Sequence, residues 1–165
     1  MFITTSRTED YIKKLLIRCN ITDPKELNIM TIAERLNIPV YYWEYSSETV
    51  SKGGKDIIFI DACASKQRQW EDFTHELCHP LWHVGRQEFL PFPFLELQEW
   101  QANNFSYHLA IPTFMLDKLY NYTVYDVMQI FNVEYDFAYK RLEMYKSKLY
   151  CKEGYRGRII VGSFT

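Results

Sequence analysis

All four histidines of this 165-residue chain lie between positions 75 and 108, and three of them, His75, His79 and His83, recur at intervals of four. The first two frame His75-Glu76-Leu77-Cys78-His79, an HExxH motif. Side chains at i and i+4 of a helix stand one above the other, so both imidazoles can reach one metal ion. The intervening Glu76 then lies beside the water that such an ion activates. The chemistry open to this group is metal-assisted hydrolysis.

The stretch from about Ala64 to His83 has the helical period this requires. Trp70, Phe73, Leu77 and Leu81 share an apolar face, while Arg68, Asp72, His75, Glu76, His79 and His83 share another. His83 is eight residues from His75, about 12 Å along the helix axis, too far for both to ligate one ion. The metzincin spacing is excluded, because Trp82 and Gly85 stand where that pattern needs Gly and His. A His₂Glu site with the carboxylate on a following helix is the remaining common solution. The helix predicted over Phe94–Ile111 offers Glu96 and Glu99. Glu99 is preferred, since it shares a face with Asn103 beside a stripe of Leu95, Ala102, Phe105 and Leu109.

The rest of the chain must hold these two helices together. Hydrophobic residues make up 47% and charged residues 24%, the balance of a folded domain with a core and not of a disordered chain. No apolar run approaches the roughly 20 residues of a membrane span, and the first residues lack the apolar region of a secretory leader. Cys19, Cys63, Cys78 and Cys151 form no CxxC pair and read as reduced thiols, so a cytoplasmic location is expected. Formal net charge is −2, but residues 140–165 carry seven Lys/Arg against two Glu, a basic end expected to be a solvated helix face.

A first helix is predicted over about Thr8–Cys19. A second, opened by Thr22-Asp23-Pro24, closes at Asn37-Ile38-Pro39, because the residue before a proline is pushed out of the α region. Val40–Trp43 and Asp56–Ile60 read as strands. Ser46, Ser47, Ser51, Gly53 and Gly54 between them read as a linker suited to antiparallel pairing or a small meander. Gly85, Pro91 and Pro93 mark a loop, Val124–Tyr150 is helical and rich in tyrosines expected to pack, and Ile159–Val161 lies in a glycine-flanked tail. The order specifies an α+β domain with helices on a small sheet. Residues 1–165 are read as one domain: a core over 1–120, a helical subregion over 121–150 and a tail over 151–165.

Two segments carry a family resemblance. Trp70-Glu-Asp-Phe-Thr-His-Glu-Leu-Cys-His-Pro-Leu-Trp-His83, followed by Glu99-Trp-Gln-Ala-Asn-Asn-Phe-Ser-Tyr-His-Leu-Ala-Ile-Pro112, resembles the ImmA/IrrE metallopeptidases. Their pattern runs F-T-x-A-H-E-x-G-H, then E-x-x-A-N-x-F-A and an apolar stretch ending in proline. The likeness spans about residues 55–142, because Val127–Val133 and Arg141-Leu142 resemble the family's helix-turn-helix-like carboxyl segment. Thr74 and Cys78 replace the family's alanine and small residue; Cys78 projects away from His75 and Glu76 and reads as a packing residue. Pro80 removes the N–H that would bond the Glu76 carbonyl, so the helix is predicted to kink or end just after the motif.

The resemblance implies a zincin-like α+β fold with a small antiparallel or mixed sheet, and one Zn²⁺ per chain held by His75, His79 and Glu99. It makes Glu76 the general base, and the reaction hydrolysis of a peptide bond. Tyr107, His108 and His83 are the candidates to stabilise the oxyanion. The Asp56–Asp61 strand or its neighbour is expected to pair with an extended substrate. The implied partner is a cognate helix-turn-helix repressor in a bacterial cytoplasm, cleaved to derepress a prophage or mobile element. The rival reading is a zinc-stabilised antirepressor that binds the repressor without cutting it. Direct nucleic-acid binding is not expected, since Tyr135–Arg141 is aromatic and mixed in charge.

Overall fold

A computed structural model describes residues 6–83 and 91–154 of the chain. The predicted turn at Gly85 and the Ile159–Val161 run lie outside them. Helix α1 spans Arg7–Arg18 and opens with a capping box, in which Ser6 and Glu9 satisfy each other's backbone N–H groups. After a 3₁₀ turn at Pro24–Glu26, helix α2 spans Ile29–Leu36 and ends on Asn37 in the left-handed conformation.

Three strands follow: β1 (Val40–Trp43), β2 (Glu48–Lys52) and β3 (Lys55–Asp61). Their order in the sheet is β1-β3-β2, with β1 parallel and β2 antiparallel to β3, so the sheet is mixed. The segment expected to be a linker therefore contains a strand. Gly53 and Gly54, at φ +60° and +76°, form the two-residue turn of a β2–β3 hairpin. Asp56–Asp61 is the central strand with both edges paired, so its neighbours β1 and β2 hold the edges of this sheet. Alternation along β3 buries Ile58 and Ile60 completely.

The HExxH segment forms two helices, α3 (Lys66–Glu76), which packs on β3, and α4 (Cys78–Trp82), which packs on α5. The expected single helix is broken at Leu77. Pro80 cannot donate to Glu76, so the ladder fails there, three residues before the proline itself. Trp70, Phe73 and Leu77 fill the core together with Ala102, Phe105 and Leu109 of helix α5 (Phe92–Ala110), which lies across α3 and α4. A short helix α6 (Thr113–Leu116) follows Pro112. Helices α7 (Val124–Phe131) and α8 (Tyr135–Gly154) are joined through Asn132 in the left-handed conformation.

A buried polar chain ties α8 back to α1 and α6. Arg141 is 1% exposed; its Nε donates to Ile111 O at 3.1 Å and its Nη2 to Thr113 Oγ1 at 2.8 Å. Thr113 in turn donates to Glu9 at 2.6 Å, and Glu9 pairs with Lys148. The tyrosines of the carboxyl third do not all pack as expected. Tyr122 and Tyr145 pack against the core, whereas Tyr120, Tyr125, Tyr135 and Tyr139 are exposed. Tyr135 stacks on Tyr139 and meets Tyr125 at a tilted angle at the surface. Among the described residues, no helix is long and apolar enough to cross a membrane.

Candidate metal centre

The end of α3, the start of α4 and the middle of α5 converge on one point. Glu99 of α5 places one carboxylate oxygen 3.2 Å from Nε2 of His75 and the other 3.7 Å from Nε2 of His79. One ligand atom from each of the three residues lies within 4.8 Å of the other two. Glu96, one helical turn earlier on α5, is exposed and is not part of this cluster. The i, i+4 spacing aligns the imidazoles, and packing of Phe73 and Leu77 against Ala102 and Phe105 sets the height at which Glu99 meets them.

The far nitrogens of both rings have protein partners. His75 Nδ1 lies 3.1 Å from Asn103 Oδ1, and His79 Nδ1 lies 2.9 Å from His83 Nδ1. A carboxamide oxygen only accepts, so Asn103 holds the proton of neutral His75 on Nδ1 and turns its Nε2 lone pair toward Glu99. Lone pairs converging at these distances repel unless a cation lies between them. The ligand edge of a tetrahedral zinc site with bonds near 2.05 Å is about 3.3 Å, close to the separations of Glu99 from the two histidines. Two imidazoles and one carboxylate are also a common donor set for zinc. The residues fit a divalent metal ion.

Glu76 sits beside this point but outside the donor set. Burial, which dominates, and the negative charges of Glu99 and Asp72 push its carboxyl up to about 7, against the opposing hydrogen bond from Thr49. Burial, which dominates, and the repulsion that protonated His75 and His83 would add push the His79 imidazole down to about 4, so at neutral pH the ring is an uncharged ligand. Burial, with a smaller contribution from the Glu99 charge, raises the fully enclosed Cys78 thiol to about 12; it is not part of the ligand cluster.

A cavity of about 310 Å³ opens beside His75 and Glu76, walled by Asp72, Asn103, Tyr107 and, from α8, Phe137. Of the three oxyanion candidates, Tyr107 lines this cavity. His83 is engaged at both ring nitrogens, by His79 and by Gln101 Oε1 at 3.1 Å. His108 faces the buried chain of Arg141, Glu9 and Lys148, where burial and then the Arg141 charge push its imidazole down to about 3. Ser47, whose hydroxyl donates to Asp72 at 2.7 Å, and Thr49, which bonds Glu76, tie the β2 side of the sheet to the site. Sequence reasoning missed both, because β2 reads as a polar linker. The Gly53-Gly54 turn immediately before a strand is the signal that could have revealed it.

The sequence profile of the IrrE N-terminal-like domain, peptidase family M78, matches residues 25–143. The chain is 38% identical over 148 residues to the phage-like element PBSX protein XkdA of Bacillus subtilis (strain 168), covering 87% of this chain and 75% of XkdA. It is 35% identical over 154 residues to the uncharacterized protein YqaB of the same organism, covering 90% of each.

Proposed function

Because this chain belongs to the IrrE N-terminal-like, or ImmA/IrrE, family of metallopeptidases, we propose that it is a zinc-dependent endopeptidase whose substrate is a cognate helix-turn-helix repressor. The observation that carries this reading is the convergence of His75, His79 and Glu99 with Glu76 held next to them. These three residues would hold the ion, and Glu76 would work on the water. When bound, zinc supplies Lewis acidity: it polarises a scissile carbonyl and lowers the pKa of water toward about 7.

The chain's own groups do the rest. Glu76 takes a proton from the water as its oxygen attacks the carbonyl carbon. It then delivers that proton to the amide nitrogen as the C–N bond breaks, leaving a carboxylic acid and a free amine. Tyr107, on the wall of the cavity, donates to the oxygen that gains negative charge. An edge of β2, brought to Glu76 by Thr49, takes the extended substrate in place of the central strand.

The substrate assignment draws on the phage-like element named for XkdA and on the repressor-cleaving habit of the family, in a bacterial cytoplasm. Co-expression with the repressor encoded nearby tests it. Wild type is expected to yield two repressor fragments and derepression, while Glu76→Gln keeps its metal and loses both. Derepression by Glu76→Gln without fragments would replace the peptidase with a sequestering antirepressor.

A further inference from the structure

His83 has no task in the hydrolysis, yet both of its ring nitrogens are engaged. Its Nε2 lies 3.1 Å from Gln101 Oε1, and its Nδ1 lies 2.9 Å from Nδ1 of His79. The break in the helix at Leu77 sets α4 apart as a short segment that carries His79 and ends on His83 as its C-cap, whose N–H donates to His79 O at 2.9 Å. Their ring centroids are 5.0 Å apart and the rings are tilted by 55°, so they do not stack face to face.

The protons in this chain follow from donor and acceptor counting. Gln101 Oε1 can only accept, so His83 carries a proton on Nε2. One proton fits between the two Nδ1 atoms at 2.9 Å. Were it on His83, neutral His79 would carry its own proton on Nε2, the nitrogen that faces Glu99, and could not ligate through that atom. Ligation through Nε2 therefore requires the proton on His79 Nδ1, with His83 Nδ1 as a neutral acceptor. We propose that His83, oriented by Gln101, is a positioning residue that fixes the tautomer and ring angle of His79 for metal binding.

Asn103 does the same for His75 with a carboxamide oxygen. Outer partners of metal-bound histidines are usually carboxylates, carbonyls or water, and losing one typically costs 10–100-fold in metal affinity. Here the outer partner of His79 is a second imidazole, which is itself held by an amide. His83 and Gln101 thus belong to the metal site without touching the ion. The inference rests on the metal centre proposed above, but not on the identity of the substrate or on catalysis.

Two measurements test it. In metal-free protein labelled with ¹⁵N-histidine, two-bond correlation spectra should show His79 as the Nδ1–H tautomer and His83 as the Nε2–H tautomer. Zinc affinity, measured by competition with a chelating dye, should fall roughly 10–100-fold in His83→Phe, which keeps a ring and removes the acceptor. His83→Gln, which restores an acceptor oxygen, should recover most of the loss, and Gln101→Leu should show a smaller one. His79 in the Nε2–H form would overturn the proposal, as would wild-type zinc affinity in a folded His83→Phe. A protein with the expected tautomers and zinc affinities that cleaves no repressor would instead defeat the proposed function and leave this inference standing.

Discussion

The hydroxyl of Thr49 lies 2.9 Å from the main-chain carbonyl of Glu76 and 2.9 Å from its carboxylate, joining an edge strand to the base of the site at two points. The carbonyl is available because Pro80 has no N–H to offer it. A hydroxyl has one proton and two lone pairs. Its one proton is shared between the carbonyl and the carboxylate while Glu76 is ionised; once Glu76 has taken a proton, the hydroxyl can donate to the carbonyl alone and accept from the carboxyl group. The helix break thus becomes part of the machinery that holds Glu76.

Thr49→Val keeps the shape and removes the hydroxyl. We expect kcat to fall about 10- to 100-fold, the equivalent of a lost hydrogen bond to an ionisable group, with zinc content unchanged. Thr49→Ser should restore most of the rate. Equal kcat in the valine variant would reduce Thr49 to a packing contact.

The cluster geometry separates the two carboxylates of α5. Metal analysis of purified protein should give one zinc per chain in the wild type and in Glu96→Ala, and none in His79→Ala or Glu99→Ala. Retention of zinc by Glu99→Ala would move the third ligand elsewhere.

Tyr107 lines the cavity that holds His75 and Glu76. Removal of its hydroxyl in Tyr107→Phe is expected to lower kcat by about 10²–10³ with KM and metal content preserved, the pattern of a group that acts on the transition state. An unaltered kcat would assign the oxyanion to another donor.

Outside the metal cluster, Glu9 makes acid stability measurable. Burial by itself would raise its pKa, but Lys148, Thr113 and the Ser6 N–H outweigh it and hold the carboxyl at about 2, against 4.5 for an unperturbed glutamate. The folded state therefore holds fewer protons than the unfolded state between these values. The stability that Glu9 contributes is complete above pH 4.5 and is lost as pH falls toward 2. Urea unfolding should show Glu9→Gln less stable by about 3 kcal/mol at pH 7, because Lys148 loses its partner and Arg141 the nearby charge. The gap between the proteins should narrow at pH 3. A constant gap across that range would show that the charge of Glu9 does not act in this way.

The sequence alone determined what depends on neighbours within a few residues. Helical period placed His75, Glu76 and His79 on one face, Asn37-Ile38-Pro39 marked the end of α2, and the missing N–H of Pro80 foretold a break. Each of these follows from hydrogen bonds and side-chain spacing inside one element. Thr22-Asp23-Pro24, by contrast, opens a 3₁₀ turn, and α2 starts only after Asn28. Tertiary structure decided the rest. The sequence favoured Glu99 over Glu96, but only the packing of α5 on α3 brings the Glu99 carboxylate to the two histidines. The strand β2 is polar and short of apolar alternation, and it exists through pairing with β3. Thr49 and Gln101 meet Glu76 and His83 across separations of 27 and 18 residues, which no local pattern encodes. Such contacts are fixed by the angles and heights at which whole elements settle on the core, because a side chain's partner across elements depends on every residue packed between them.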